Sequence, residues 1–211
     1  MKKPFGLIIF MLCACSLCGC FATFDGARVR NGSRAVVAAT SIQESESKQK
    51  YSMVVFGVRS GYINKTDSTR NVEVGGLLEW FPSDGPFSFN WDEGGASDEK
   101  QNGTQFQFNL DVKYQVIINA PIDGSLRLRT CLPWIIWPDL SLAFGKNIKG
   151  SDLYIEAGQN IQAFNSLYHD GLSGLTLIKA GARLPLTQHT AFVVESGRSW
   201  GYIYAGLGLE F

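Results

Sequence analysis

The residues whose types and spacing could do chemistry in this chain are few, and the most concentrated are cysteines. Cys13, Cys15, Cys18 and Cys20 crowd the amino terminus, and Cys131 stands alone. Cys15-x-x-Cys18 has the spacing of a thiolate pair that could hold a metal or cycle with a disulfide, but no second ligand pair accompanies it. It also lies inside an apolar leader, so neither a metal site nor a cofactor is expected. Cys131 reads as a small wall residue rather than a nucleophile. There are only two histidines, His169 and His189. His169-Asp170, with Ser166 and Ser173 nearby, supplies the residue types of a hydrolytic site. A nucleophile, base and orienter need hydrogen-bond reach of one another, and nothing in the spacing provides it. No enzymatic activity is expected.

The charges say more through their positions than through their sum. The 19 basic and 19 acidic residues cancel, which removes bulk charge as a means of holding nucleic acid. No basic patch with interleaved aromatics is present, and no Gly-rich stretch links a strand to a helix as a phosphate loop would. Glu73, Glu79, Asp111, Lys113, Arg127, Arg129, Glu156, Lys179 and Arg183 fall on the polar rows of alternating segments. Carrying both signs, they could pair across a narrow lumen. The other reading of the same rows is the solvated outer face of a soluble barrel.

These rows belong to strands. In Gln105–Asn119, Phe106, Phe108, Leu110, Val112, Tyr114, Val116 and Ile118 alternate with Gln105, Gln107, Asn109, Asp111, Lys113 and Gln115; only Ile117 breaks the pattern. In Gly201–Phe211, Ile203, Ala205, Leu207, Leu209 and Phe211 alternate with Tyr202, Tyr204, Gly206, Gly208 and Glu210. Period two over this length suits tilted strands crossing a bilayer. Similar runs cover Arg34–Ile42, Tyr51–Ile63, Asn71–Phe81, Ser125–Ile135, Leu140–Ile148, Leu153–Phe164, Leu175–Leu184 and His189–Ser196. The length of 211 residues fits one domain, and no run after the leader is long and apolar enough for a membrane helix. The expectation is an all-β, antiparallel up-and-down transmembrane β-barrel of about ten strands, with eight as the alternative.

With a periplasmic start, Asn64–Arg70, Ala120–Gly124, Lys149–Asp152 and Pro185–Gln188 fall on the periplasmic side. The longest loop, Pro82–Thr104, falls outside, and an even strand number returns the chain end to the periplasm. Trp80, Trp134, Trp137 and Trp200 then lie near the outer strand ends, where an aromatic girdle is expected.

The leader opens Met1-Lys2-Lys3, continues in the apolar Phe5–Leu12 and ends Leu17-Cys18-Gly19-Cys20. That ending resembles the bacterial lipobox, with Cys18 where Ala or Ser is more usual. The resemblance implies cleavage before Cys20 and acylation of Cys20, with fatty chains such as palmitate. Leu12-Cys13-Ala14-Cys15 fits the same pattern and makes Cys15 the alternative; an ordinary secretory signal is the plainer reading. The division expected is residues 1–19 as signal peptide, 20–32 as lipidated tether and 33–211 as barrel. Phe21 follows the lipid-bearing cysteine in place of the inner-membrane retention Asp, which favours the Gram-negative outer membrane, with the anchor in its periplasmic leaflet.

The end of the chain resembles the outer-membrane β-signal, an alternating strand closing in an aromatic residue, here Tyr202, Tyr204, Leu207, Leu209 and Phe211. The implied partners are outer-membrane lipid and the barrel-assembly and lipoprotein-sorting machineries, around a monomer. The functional expectation is a structural or surface-binding barrel. The alternatives are a narrow pore and a lipid-anchored, lipocalin-like periplasmic barrel whose apolar rows point inward; a lipid-modifying enzyme is the remote case.

Overall fold

A computed structural model describes residues 22–64, 71–82, 105–118, 121–132, 138–160, 175–199 and 201–211. Ten strands run in order: β1 (Gly32–Glu44), β2 (Lys50–Tyr62), β3 (Val72–Phe81), β4 (Gln105–Ile117), β5 (Asp123–Leu132), β6 (Asp139–Ile148), β7 (Ser151–Asn160), β8 (Leu177–Pro185), β9 (Ala191–Ser199) and β10 (Tyr202–Glu210). Each pairs antiparallel with its sequence neighbour, and β1 pairs with β10 from Val36↔Glu210 to Glu44↔Tyr202, closing the barrel. Ala35 and Phe211 exchange both backbone hydrogen bonds at 3.1 and 2.9 Å, which carries the seam to the chain end. The ring of ten therefore has no free edge.

The alternation that marks each strand is realised as an outer and an inner face. Val58, Phe106, Val112, Leu128, Ile155, Ile178, Ile203 and Leu207 are exposed, at 65% for both Val58 and Phe106. An apolar band of this extent is what hydrocarbon covers in a spanning barrel. The charged rows point the other way and are buried. The soluble arrangement, with apolar rows inside, is thereby overturned. Ile117, the residue that breaks the alternation of β4, sits at a register shift between Gln115 and Ile117. The bulge turns Val116 and Ile117 outward together, at 52% and 40% exposure, and so keeps both in the apolar band.

Trp80 lies near the end of β3 away from the short turns and stacks on Phe106, ring centroids 6.5 Å apart. Trp134, Trp137, Trp200, His169, the Pro82–Thr104 loop beyond Pro82 and all four leader cysteines lie outside the described residues.

The largest departure from expectation concerns residues 20–32. A tether would lie in solvent below the barrel, but its described part turns back into the lumen. Ala22, Thr23, Phe24, Asp25, Ala27 and Val29 are each no more than 2% exposed. Nothing in the stretch has strand or helix periodicity, and its backbone groups are met by wall side chains instead of a ladder. Val29 N–H donates to Gln115 (3.2 Å), Lys113 donates to the Gly26 and Arg28 carbonyls (3.1 and 3.0 Å), and Arg59 donates to that of Thr23 (3.3 Å). Gly32, at φ +90°, makes the turn from this plug into β1.

Candidate functional site

The site is the lumen, formed by the inner rows of the strands around residues 22–31. Its lower centre is Asp25. Lys113 Nζ and Arg127 Nη2 reach the same oxygen, Oδ2, at 2.6 and 2.8 Å. Arg59 follows at 3.4 Å, and Arg34 and Arg30 approach the other oxygen at 3.3 and 3.6 Å. One carboxylate from the plug thus meets cations carried by β1, β2, β4 and β5 and by the plug itself.

The wall carboxylates complete the set. Glu73 pairs with Arg34 (2.6 Å) and Lys113 (3.0 Å), and Asp111 with Arg59 (2.8 Å). Glu156 holds Arg127 (2.8 Å), Lys179 (3.1 Å) and Arg129 (3.3 Å) and accepts from Ser141 (2.6 Å). Glu195 accepts from Tyr154 (2.6 Å), Tyr204 (3.1 Å) and the Thr23 N–H (2.8 Å), with Lys179 at 3.3 Å. The Thr23 hydroxyl sits between Lys179 and Arg127. Removing charge from water is costly, and an ionic interior holds only where each group finds partners of good geometry.

Seven of the expected lumen residues, Glu73, Asp111, Lys113, Arg127, Arg129, Glu156 and Lys179, therefore lie in this connected network. Arg183 joins the network at its short-turn mouth, on Glu210 at 2.8 Å, where Arg30 and Arg34, the same groups that approach Asp25, also bind (2.5 and 3.3 Å). Glu79 is fully buried on the inner row higher up β3, in register with Val55 and Gln107. Of the terminal-strand residues, Tyr204 points inward, Tyr202 is half-buried against the upper core, and Leu207, Leu209 and Phe211 are exposed on the outside of the barrel.

Sequence reasoning missed Asp25, Arg30, Arg34, Arg59, Glu195 and Glu210. Arg59, Glu195 and Glu210 carry a usable signal, since each is the lone charge on the inner parity of its strand. The plug residues carry none.

Above the ionic zone the interior changes character. Ala22 and Phe24 pack in one cluster with Val36, Ala38, Ile42, Met53, Val55, Leu77, Phe81, Val193 and Tyr204. A Cβ on Gly206 would stand 2.6 Å from the Phe24 ring and 2.5 Å from the Thr40 hydroxyl, so the ring lies directly against the bare backbone of β10. Phe24 is held at φ +48°, a conformation bulky residues rarely adopt, and it is this packing that keeps it there.

No protein-family model matches the chain, and no curated protein matches it in sequence. Among solved structures, Neisserial surface protein A superposes with a TM-score of 0.36 at 9% identity, over 88% of this chain and 98% of that one. The attachment invasion locus protein Ail of Yersinia pestis gives 0.33 at 10% identity, over 86% and 100%. An S-type phycobiliprotein lyase, CPES of Guillardia theta, gives 0.40 at 9%, over 85% and 86%. Likenesses at this level say nothing of what the chain binds, and the architecture stands on its own strand register.

Proposed function

We propose that this chain is an outer-membrane lipoprotein whose barrel is a closed structural element, presenting its external connections to the surroundings. What carries the reading is the filled lumen. Phe24 and Asp25 are 1% exposed, and Arg127 and Lys113 across from them are fully buried. A solute channel needs a water-filled cross-section, and in a barrel of this size long charged side chains occupy it. The pore is the second reading and requires residues 22–31 to leave.

Cys20 carries the lipid in this proposal, with Cys15 as the alternative acceptor. The partners are membrane lipid, the sorting machinery that handles the lipidated chain, and the assembly machinery that reads the strand ending in Phe211. The closed ring supports a monomer, and no reaction is assigned.

The test is gel mobility of membrane-extracted protein, unheated against boiled, with labelled palmitate, for wild type and Cys20→Ser. A heat-modifiable, membrane-retained band in both forms, labelled only in wild type, is expected. A mutant that becomes soluble without detergent sinks the integral barrel. In planar bilayers the wild type should be silent; steady conductance that changes when Arg127 and Arg129 are truncated would favour the pore.

A further inference from the structure

The plug has a direction, and it conflicts with an anchor in the periplasmic leaflet. Gly32 starts β1 at the short-turn end, in register with Gly61, and Arg30 lies there on Glu210, the last residue of β10. Asp25 lies higher, among Arg34, Arg59 and Lys113. Thr23 is higher again, on Glu195, which pairs with Gly206, itself the partner of Thr40. Phe24 packs on that same Gly206. Residue numbers fall as the chain climbs away from the short turns, which face the periplasm in outer-membrane barrels.

We propose that the amino-terminal end of the mature chain is delivered to the external end of the barrel, so that the Cys20 lipid anchors in the outer leaflet. This rests on the lipoprotein reading above. Gly206 and Glu195 are the middle residues of β10 and β9, four residues from either end, or about 10 Å along the axis at the usual tilt. The chain between Phe24 and Cys20 spans at most about 13 Å. That length takes it to the outer rim, whereas the way back to the periplasmic end runs through a lumen already occupied by residues 24–30. A lipidated terminus cannot thread a lumen this full either, so the β1–β10 seam closes around the plug.

The test places a short biotin-acceptor peptide between Phe21 and Ala22 and adds biotin ligase to intact cells. Seating of the plug is read in the same cells in a Cys131→Ser background with Ala27→Cys and Gly145→Cys, because a Cβ at position 145 would lie 3.0 Å from that of Ala27. The new side chain also crowds the Leu153 carbonyl (2.9 Å), so a photo-crosslinker in place of Phe24, captured by β10 or β1, gives an independent reading. Surface labelling together with either crosslink is expected. Labelling only after the outer membrane is permeabilised, with a crosslink formed, overturns the direction; failure of both crosslinks overturns the plug. Loss of palmitate with surface labelling retained overturns the lipid assignment and leaves the direction standing.

Discussion

Neighbouring residues of the plug face opposite kinds of wall. Asp25 looks toward guanidinium and ammonium groups from β1, β2, β4 and β5, while Phe24 lies in an apolar cluster built from β1, β2, β3, β9 and β10. The two contacts constrain different things. Apolar packing is non-directional and rewards depth of burial, whereas a carboxylate shared by several cations tolerates little displacement. Together they set the register of a segment that has no ladder to set it. A slip by one residue would put an aromatic ring among buried cations and a carboxylate against Ile42, Met53 and Tyr204.

The severest way to break that comparison is to exchange the two residues. Phe24→Asp with Asp25→Phe keeps composition and charge but leaves charge unpartnered in the apolar half and cations uncompensated in the other. Either defect alone costs several kcal/mol, so no heat-modifiable band is expected on unheated gels. Wild-type mobility for the exchanged form would mean the plug does not hold the barrel together.

Next in size is Asp25→Ala. Removing one partner of a buried ionic cluster typically costs about 3–5 kcal/mol, because the remaining charges stay buried. The expected result is a matching fall in unfolding free energy, measured by urea titration in detergent. Phe24→Leu sharpens the contrast, since a near-conservative apolar change should cost less than about 1.5 kcal/mol. If the two variants cost the same, the halves of the lumen are not energetically distinct.

The contrast also explains what the sequence could reveal. The charged wall lies on β3, β4, β5, β7 and β8, where one row is apolar and the other charged, so Glu73, Asp111, Lys113, Arg127, Arg129, Glu156 and Lys179 were legible from parity alone. Those five strands were legible for the same reason, and the other five from weaker alternation between turns, most with ends displaced by a few residues. On β1, beyond Arg34, both rows are mostly apolar, Val36, Ala38 and Ile42 inward and Val37 and Ala39 outward, so alternation is weak and the inner apolar core is hidden. Residues 22–31 have no period at all. Their placement depends on contacts such as Thr23 with Glu195, 172 residues away in the chain, and local spacing does not encode those.

A smaller effect tests the ring of Phe24 against the wall behind it. Gly206→Ala would force a methyl to within 2.6 Å of that ring and 2.8 Å of the Ala39 carbonyl. Overpacking of this kind costs about 1–3 kcal/mol. Combined with Phe24→Leu, part of the loss should be recovered, and strict additivity of the two substitutions would show that residue 24 does not touch β10.

The smallest expected change is at the short-turn mouth, where the same kinds of group lie closer to water. Glu210, its side chain 6% exposed, binds Arg30, Arg34 and Arg183 at 18%, 9% and 17%, against 0% for Asp25, Lys113 and Arg127. Solvent screens such pairs, and the cations stay hydrated when the carboxylate is lost, so Glu210→Gln should cost about 1 kcal/mol or less. Added salt should shrink that cost further and leave the cost of Asp25→Ala nearly unchanged, because buried pairs are screened far less. Equal salt sensitivity at the two positions would mean that water reaches Asp25, and with it that the plug leaves a continuous wet path through the barrel.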